Sequence, residues 1–177
     1  LPAAGDVLQV QDDKDLTGSV IESIAGVNGE CKRIAVFSGS SILSIGNNSG
    51  AGNTVDPLYQ QCYPVTTWGK NFGVVPFANN PNGYHLRVLA SESNTAVTIN
   101  GATVNLNEGE HYPPTSVNPV PYTGPSIISS DKPITVAQYM TSTGRNGFGG
   151  DQGDPDMVII NLVEQNIEDI SIFYSKL

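Results

Sequence analysis

The sequence predicts an all-β chain: two related β-sandwich-like units packed together, Greek-key or jelly-roll in style, with little helix. Three observations carry this. Short segments rich in Val, Ile, Tyr, Phe and Thr alternate apolar with polar residues, and Gly, Pro, Asn and Asp punctuate them. No segment repeats apolar residues at i, i+3, i+4 and i+7 over three turns, as an amphipathic helix would. Part of the chain also recurs about 100 residues later. Of the 177 residues, 19 are Gly, 12 are Pro and only 14% are charged, which disfavours long helices, while 38% apolar residues suffice for a core.

The predicted strands run in order through Val7–Val10, Ser19–Ile24, Arg33–Ser38, Asn71–Phe77, Tyr84–Ala90, Ala96–Asn100, Thr103–Leu106, Ser126–Ile128, Ile134–Met140, Met157–Val163 and Asp169–Tyr174. Pro57–Gln61 and Val163–Asp169 are the two stretches that fit a helical turn. The sharpest local feature is Thr95–Leu106. Asn100-Gly101 tolerate the positive φ angles of a type I′ turn, and a two-residue loop there pairs Ile99 with Ala102, Thr98 with Thr103 and Val97 with Val104. That register sorts the apolar side chains to one face and the threonines to the other. Ser130-Asp-Lys-Pro reads as a turn launching a strand, and Asp56-Pro57 and Asp154-Pro155 read as turns likewise.

The repeat is diverged but ordered. Thr17-Gly-Ser-Val-Ile-Glu-Ser resembles Thr123-Gly-Pro-Ser-Ile-Ile-Ser, and Lys32-Arg-Ile-Ala-Val-Phe-Ser resembles Lys132-Pro-Ile-Thr-Val-Ala-Gln. Asp56-Pro-Leu resembles Asp154-Pro-Asp, and Phe72-Gly-Val-Val resembles Ile170-Ser-Ile-Phe. The offset drifts only between 106 and 98 along these matches, as loop insertions would cause. A unit of this length suits a small sandwich. The expected boundaries are residues 1–80 for a first, incomplete unit and 81–177 for a second. A start at Leu1 and the missing first-unit hairpin predict an excerpt of a longer modular protein.

Charge and motifs exclude several functions. A net charge of −9 and a pI near 4.4 disfavour nucleic acid and anionic membrane surfaces as partners. No run of 18 apolar residues exists to insert into a membrane. Cys31 and Cys62 stand far apart with no nearby His, which argues against zinc. They are read as a disulfide closing a loop of about 30 residues, worth roughly 3–4 kcal/mol. Buried free thiols and a catalytic thiol paired with His85 or His111 are the alternatives. No GxSxG, HExxH, P-loop or EF-hand pattern is present. His85 lies in an alternating strand, His111 precedes Tyr112-Pro-Pro, and Glu92, Glu108, Glu110 and Asp131 are scattered acids. Catalytic residues are therefore expected to be none.

The loops hold the remaining candidates. Calcium is the one cofactor considered, at Asp12-Asp13-Lys14-Asp15 or at Asp151, Asp154 and Asp156, where hard oxygen ligands cluster; solvated acidic loops are the plainer reading. The glycine-rich stretch after Thr141 carries Arg145 and Phe148, side-chain types that anchor interfaces, and with its counterpart Ser41–Asn53 forms the expected ligand-binding surface. Trp68-Gly69 is expected to anchor a core edge, with the indole N–H reaching a carbonyl. Asn47-Asn-Ser49 is a glycosylation acceptor in a secreted eukaryotic protein.

Five motifs also resemble the N-terminal domain family of the IgG Fc-binding protein. They are Pro64-Val-Thr-Thr-Trp-Gly-Lys-Asn-Phe-Gly-Val-Val-Pro, Leu86 through Asn100-Gly101, Ser130-Asp-Lys-Pro-Ile-Thr-Val-Ala-Gln-Tyr-Met, Gly153-Asp-Pro-Asp-Met and Val163-Glu-Gln. They occur in family order over roughly residues 17–175. One departure is the absence of cysteines after Phe37-Ser-Gly, so any bridge is particular to this chain. The resemblance implies a β-rich extracellular module, secreted or on a cell surface, that binds or adheres. It does not imply that this copy binds antibody. The expected function is a non-catalytic adhesive or ligand-binding module of a larger repeat protein. Its partners would be a protein or glycan on another surface and neighbouring domains of the same chain. The alternatives are a structural spacer or filament subunit and, further off, a glycan-processing enzyme.

Overall fold

A computed structural model describes residues 3–46, 55–78, 83–114, 120–142 and 155–165. Their strands are β1 (Phe37–Leu43), β2 (Asp56–Gln61), β3 (Gly69–Val74), β4 (Tyr84–Ala90), β5 (Thr95–Ile99), β6 (Ala102–Leu106), β7 (His111–Tyr112), β8 (Ser126–Met140) and β9 (Asp156–Ile159). Two single 3-10 turns, η1 (Val65–Thr67) and η2 (Val163–Gln165), complete the order, and the described residues include no α-helix. The all-β expectation holds.

β8 organises the main sheet. Its first half is flanked by β5 and β3, and its second half by β4 and β9, all antiparallel. β6 extends the sheet beyond β5, and β7 beyond β4. The ladder with β3 slips between Gly69 and Asn71, whose partners are Ile134 and Ser129, so β8 bulges on that side through Ser130–Pro133. Such a bulge lets one strand turn a corner and serve two layers. The expected turn at Ser130-Asp-Lys-Pro is thus an irregularity inside one 15-residue strand. Side chains replace the missing ladder: Asp131 Oδ1 accepts from Ala96 N at 2.8 Å, and Lys70 Nζ donates to Asp131 O at 2.7 Å.

The core follows from the alternation. Tyr84, Leu86, Val88 and Ala90 of β4 face inward, with His85, Arg87 and Leu89 on the outer side. Ile128, Ile134 and Val136 of β8, Val97 and Ile99 of β5, Leu106 of β6, and Phe72 and Val74 of β3 join them in one cluster. Each fully buried Val, Leu or Ile contributes about 1.5–3 kcal/mol of transfer free energy. The hairpin has the expected register, with Asn100 at φ 50° and Gly101 at φ 88°. Thr98 and Thr103 share a hydroxyl hydrogen bond of 2.9 Å across its outer face.

The amino-terminal third differs from expectation. Val7–Val10 and Ser19–Ile24 are not strands, and Arg33–Ser38 is strand only from Phe37 onward. Val7, Leu8, Val10, Val20, Ile21 and Ile24 lie 63–89% exposed. Their sequence has the strand pattern, but no neighbouring strand supplies a ladder among the described residues. Pro57–Gln61 lies in a strand, since β1 provides its partner, whereas only the start of Val163–Asp169, η2, is helical among the described residues. The predicted Asp169–Tyr174 strand lies outside the described residues. β3 also crosses the expected 80/81 boundary to pair with β8.

The repeat offsets reappear in the hydrogen bonding. β1 pairs Phe37 with Gln61, Ser38 with Gln60 and Gly39 with Tyr59. Adding 100 to the first number and 98 to the second gives Ala137 with Ile159, Gln138 with Val158 and Tyr139 with Met157, the register of β8 with β9. Cys62 N donates to Val36 O at 2.9 Å, and Ile160 N donates to Val136 O at 2.9 Å. η1 and η2 stand 98 residues apart. Their closing bonds also correspond: Thr67 N to Pro64 O, and Gln165 N to Leu162 O.

Candidate functional site

The two corresponding 3-10 turns flank a cleft of about 300 Å³. Phe72, Ile134 and Ile160, which belong to the core or pack on it, form its apolar lining with Trp68 and Leu162. Tyr63, Thr67, Thr135, Asn161 and Gln165 supply hydroxyl and amide groups, and among the described residues no carboxylate, ammonium, guanidinium or imidazole lines it. An apolar surface edged by a few neutral polar groups suits an uncharged ligand segment.

Local geometry fixes this cleft. Trp68 Nε1 donates to Tyr63 O at 3.0 Å, the indole-to-carbonyl contact expected for this residue. Gly69 permits close packing, since a Cβ there would stand 2.3 Å from Leu162 Cδ1. Asn71 Nδ2 donates to Glu164 Oε1 at 2.7 Å and ties β3 to η2. Slight desolvation pushes the exposed Glu164 carboxyl up, but hydrogen bonds from backbone N–H groups and from Asn71 outweigh it and hold it below the usual range. The cleft was missed from sequence because its walls lie 98 residues apart; the repeat offset was the signal that could have found it.

A second constellation covers the outer face of β4. Arg87 Nη1 meets Asp15 Oδ2 at 2.9 Å and Thr17 Oγ1 at 3.0 Å. Asp15 also accepts from Thr17 N and Thr17 Oγ1, and His111 Nε2 lies 3.8 Å from it. Gly18 passes so close to Gly109 that a Cβ would stand 2.1 Å from its carbonyl oxygen. These contacts strap residues 15–18 across the sheet. Behind them Tyr139 is paired with His85. Burial raises the Tyr139 phenol above its ordinary value and lowers the His85 imidazole below its own. His85 Nδ1 is buried without a hydrogen-bond partner among the described residues. His111 Nδ1 donates to Pro113 O at 2.8 Å.

The other candidates fall in different places. Glu110 Oε2 accepts from Asn107 N, and Asp131 from Ala96 N, so both carboxylates serve the backbone. Asp12 closes a local turn onto Lys14 N. Asp156 is exposed at the start of β9 and accepts from Met157 N at 2.7 Å. Asp151, Asp154, Arg145, Phe148 and the Asn47 acceptor lie outside the described residues. Among the described residues no group of three His, Cys, Asp or Glu could hold a metal. Cys31 is exposed, Cys62 is half-buried, and both are free thiols, so the expected bridge is not formed here. Cys62 occupies the position matching Ile160, an apolar one, and burial raises its thiol pKa despite a backbone hydrogen bond from Ser38. No helix among the described residues is long and apolar enough to cross a membrane.

An all-β module with an uncharged cleft, built on a shared core and strapped by an extended segment, is the class that these features define. The family model described as IgGFc binding protein matches residues 3–176. The chain belongs to this family of binding domains. No curated protein and no solved structure matches it.

Proposed function

We propose that the chain is a non-catalytic binding module of an extracellular protein, and that the Trp68 cleft receives a neutral segment of a protein or glycan ligand. The observation that carries this is the cleft's chemistry: apolar surface continuous with the core, hydroxyl and amide groups at its edge, and no charged side chain among the described residues. Membership of a family of binding domains supports the class, and the family's name makes IgG Fc the first ligand to try. A net charge of −9 disfavours acidic partners.

The test is a binding screen of the immobilised chain against IgG Fc and a glycan array. The identified ligand is then titrated against Asn161→Ala/Gln165→Ala and Tyr63→Ala. Asn161, Gln165 and Tyr63 are exposed, so these variants should keep the fold. A loss of about tenfold in affinity, some 1.4 kcal/mol, is expected. Unchanged affinity in both variants would remove the cleft from the binding surface.

A further inference from the structure

The register equivalence has a consequence for β1, independent of the cleft. β4 lies along Ile134–Met140 on one edge of β8, and β9 along Ala137–Met140 on the other. The first-copy counterpart of this stretch is Ile34–Ser40, by the offset of 100 that also maps β1–β2 onto β8–β9. β2 occupies the edge corresponding to β9. Among the described residues no strand pairs with the opposite edge, where β4 would lie.

The side chains are already arranged for such a strand. Ile34 and Val36 match Ile134 and Val136, which are fully buried against β4. Ile34 is 43% exposed, and Val36 is only half-buried. Leu58, on the inner side of the hairpin, is 4% exposed, while Tyr59 and Phe37 stack on the outer side at 5.3 Å. The hairpin therefore has a defined inner face that is partly covered. An open edge beside such a face is a template for strand addition. Strands also pass between the copies in this fold: β3, whose match in the second copy begins at Ile170, completes the sheet around β8.

We infer that the edge of Ile34–Ser40 opposite β2, unpaired among the described residues and in strand form only from Phe37 onward, is a strand-acceptor site. Its occupant is an antiparallel strand of β4 chemistry, seven residues alternating apolar with polar as in Tyr84–Ala90, supplied by a partner in which that strand is unpaired, unlike β4 of a whole copy, which β7 and β8 already hold. The β4–β8 register, carried over, sets an Ala90-like residue opposite Ile34, a Val88-like residue opposite Val36 and a Leu86-like residue opposite Ser38. An Arg87-like residue then falls opposite Phe37, where a guanidinium can lie over the exposed ring.

The experiment uses the full chain and a synthetic peptide with the sequence of residues 83–91, read by amide hydrogen exchange. Saturable binding that slows exchange about tenfold at alternate amides within Ile34–Ser40 is expected, with no effect from a scrambled peptide. Ile34→Asp and Val36→Asp should each abolish this protection while leaving exchange in β4, β5 and β8 unchanged, since both residues lie outside the main core. Equal protection by the scrambled peptide, or protection that survives both substitutions, would overturn the inference. So would peptide that exchanges with β4 itself instead of adding to β1. Protection in the free chain that grows with its concentration would assign the edge to a second whole copy and overturn a β4-like occupant.

Discussion

Asn100 offers the most direct test of how the hairpin is tied to the rest of the sheet. It sits at φ 50°, in the left-handed region, and its side chain reaches the start of β8. Asn100 Oδ1 accepts from Ile127 N at 2.9 Å, and Asn100 Nδ2 donates to Ser126 Oγ at 3.1 Å. Ser126 is buried and also receives the hydroxyl of Tyr84 at 2.8 Å, so the turn amide is wired to the core. Replacement by Gly keeps the backbone conformation and deletes both bonds. At about 0.5–1.5 kcal/mol each, the loss is about 1–3 kcal/mol. Replacement by Ala deletes the same bonds and adds the left-handed penalty of about 1–2 kcal/mol, offset by the smaller entropy of the unfolded Ala chain, about 0.4–1 kcal/mol. Asn100→Ala should therefore fall below Asn100→Gly by about 0.5–1 kcal/mol. Asn100→Asp keeps the acceptor for Ile127 N and loses the donor to Ser126, so it should cost about 1 kcal/mol. Urea unfolding gives the order Asp, Gly, Ala from mildest to worst. A Gly variant within about 0.3 kcal/mol of wild type would refute the anchoring role, and equal Gly and Ala variants would refute the strained turn.

Three further expectations follow from the outer face and the thiols. Burial holds the His85 imidazole below its ordinary value of 6.5, so between those two values the unfolded chain binds more protons. Stability should be full above pH 6.5 and decline as pH falls through 6.5 toward the folded value. His85→Gln should flatten that slope, and an unchanged slope would place its origin elsewhere. The Arg87–Asp15 pair is partly exposed, with side chains 31% and 25% accessible, so Arg87→Ala should cost less than about 1 kcal/mol globally. It should nonetheless speed amide exchange in residues 15–19, and unchanged exchange there would show that the Gly18–Gly109 contact alone holds the strap. Cys62 should alkylate more slowly at pH 8 than the exposed Cys31, because burial raises its pKa and restricts access. Equal rates, or an oxidised mass lower by two hydrogens, would reject the reading of Cys62 as a packed free thiol.

What the sequence made legible was structure that carries its partner close by. The Asn100-Gly101 hairpin came out residue for residue, because turn chemistry and pairing register are both local. Tyr84–Ala90 was read with its bounds intact, since its alternation matches one buried and one covered face. The two predicted segments Ser126–Ile128 and Ile134–Met140 proved to be one strand. Pro133 and Asp131 look like a turn until Lys70 and Ala96, distant in sequence, supply the bonds that carry the chain through. Trp68 was placed correctly through its indole N–H, but the cleft it lines needs Asn161, Leu162 and Gln165, and nothing local to either wall announces the other. The strap through Asp15, Thr17 and Arg87 is invisible for the same reason: proximity in sequence groups Asp15 with the calcium candidates, while its partner Arg87 lies 72 residues away.

The misread amino-terminal strands point to something more specific than a weakness of local patterning. Val20, Ile21, Ile24 and Ile34 occupy the stretch that aligns with β8, where Ile21 and Ile34 match Ile127 and Ile134 while Val20 and Ile24 match Ser126 and Ser130. Alternation in a sequence records the faces that a strand presents when its sheet is assembled; it does not supply the sheet. In the second copy β4, β5 and β3 are at hand, and the same kind of sequence becomes a 15-residue strand with a dry inner side. Among the described residues of the first copy β1 has β2 alone as its partner, and strand structure extends where β2 reaches, from Phe37 to Leu43. Ile34 is the clearest case: its match Ile134 is fully buried beside β4, whereas Ile34 has no such neighbour among the described residues, and removing its side chain from water would contribute about 1.5–3 kcal/mol.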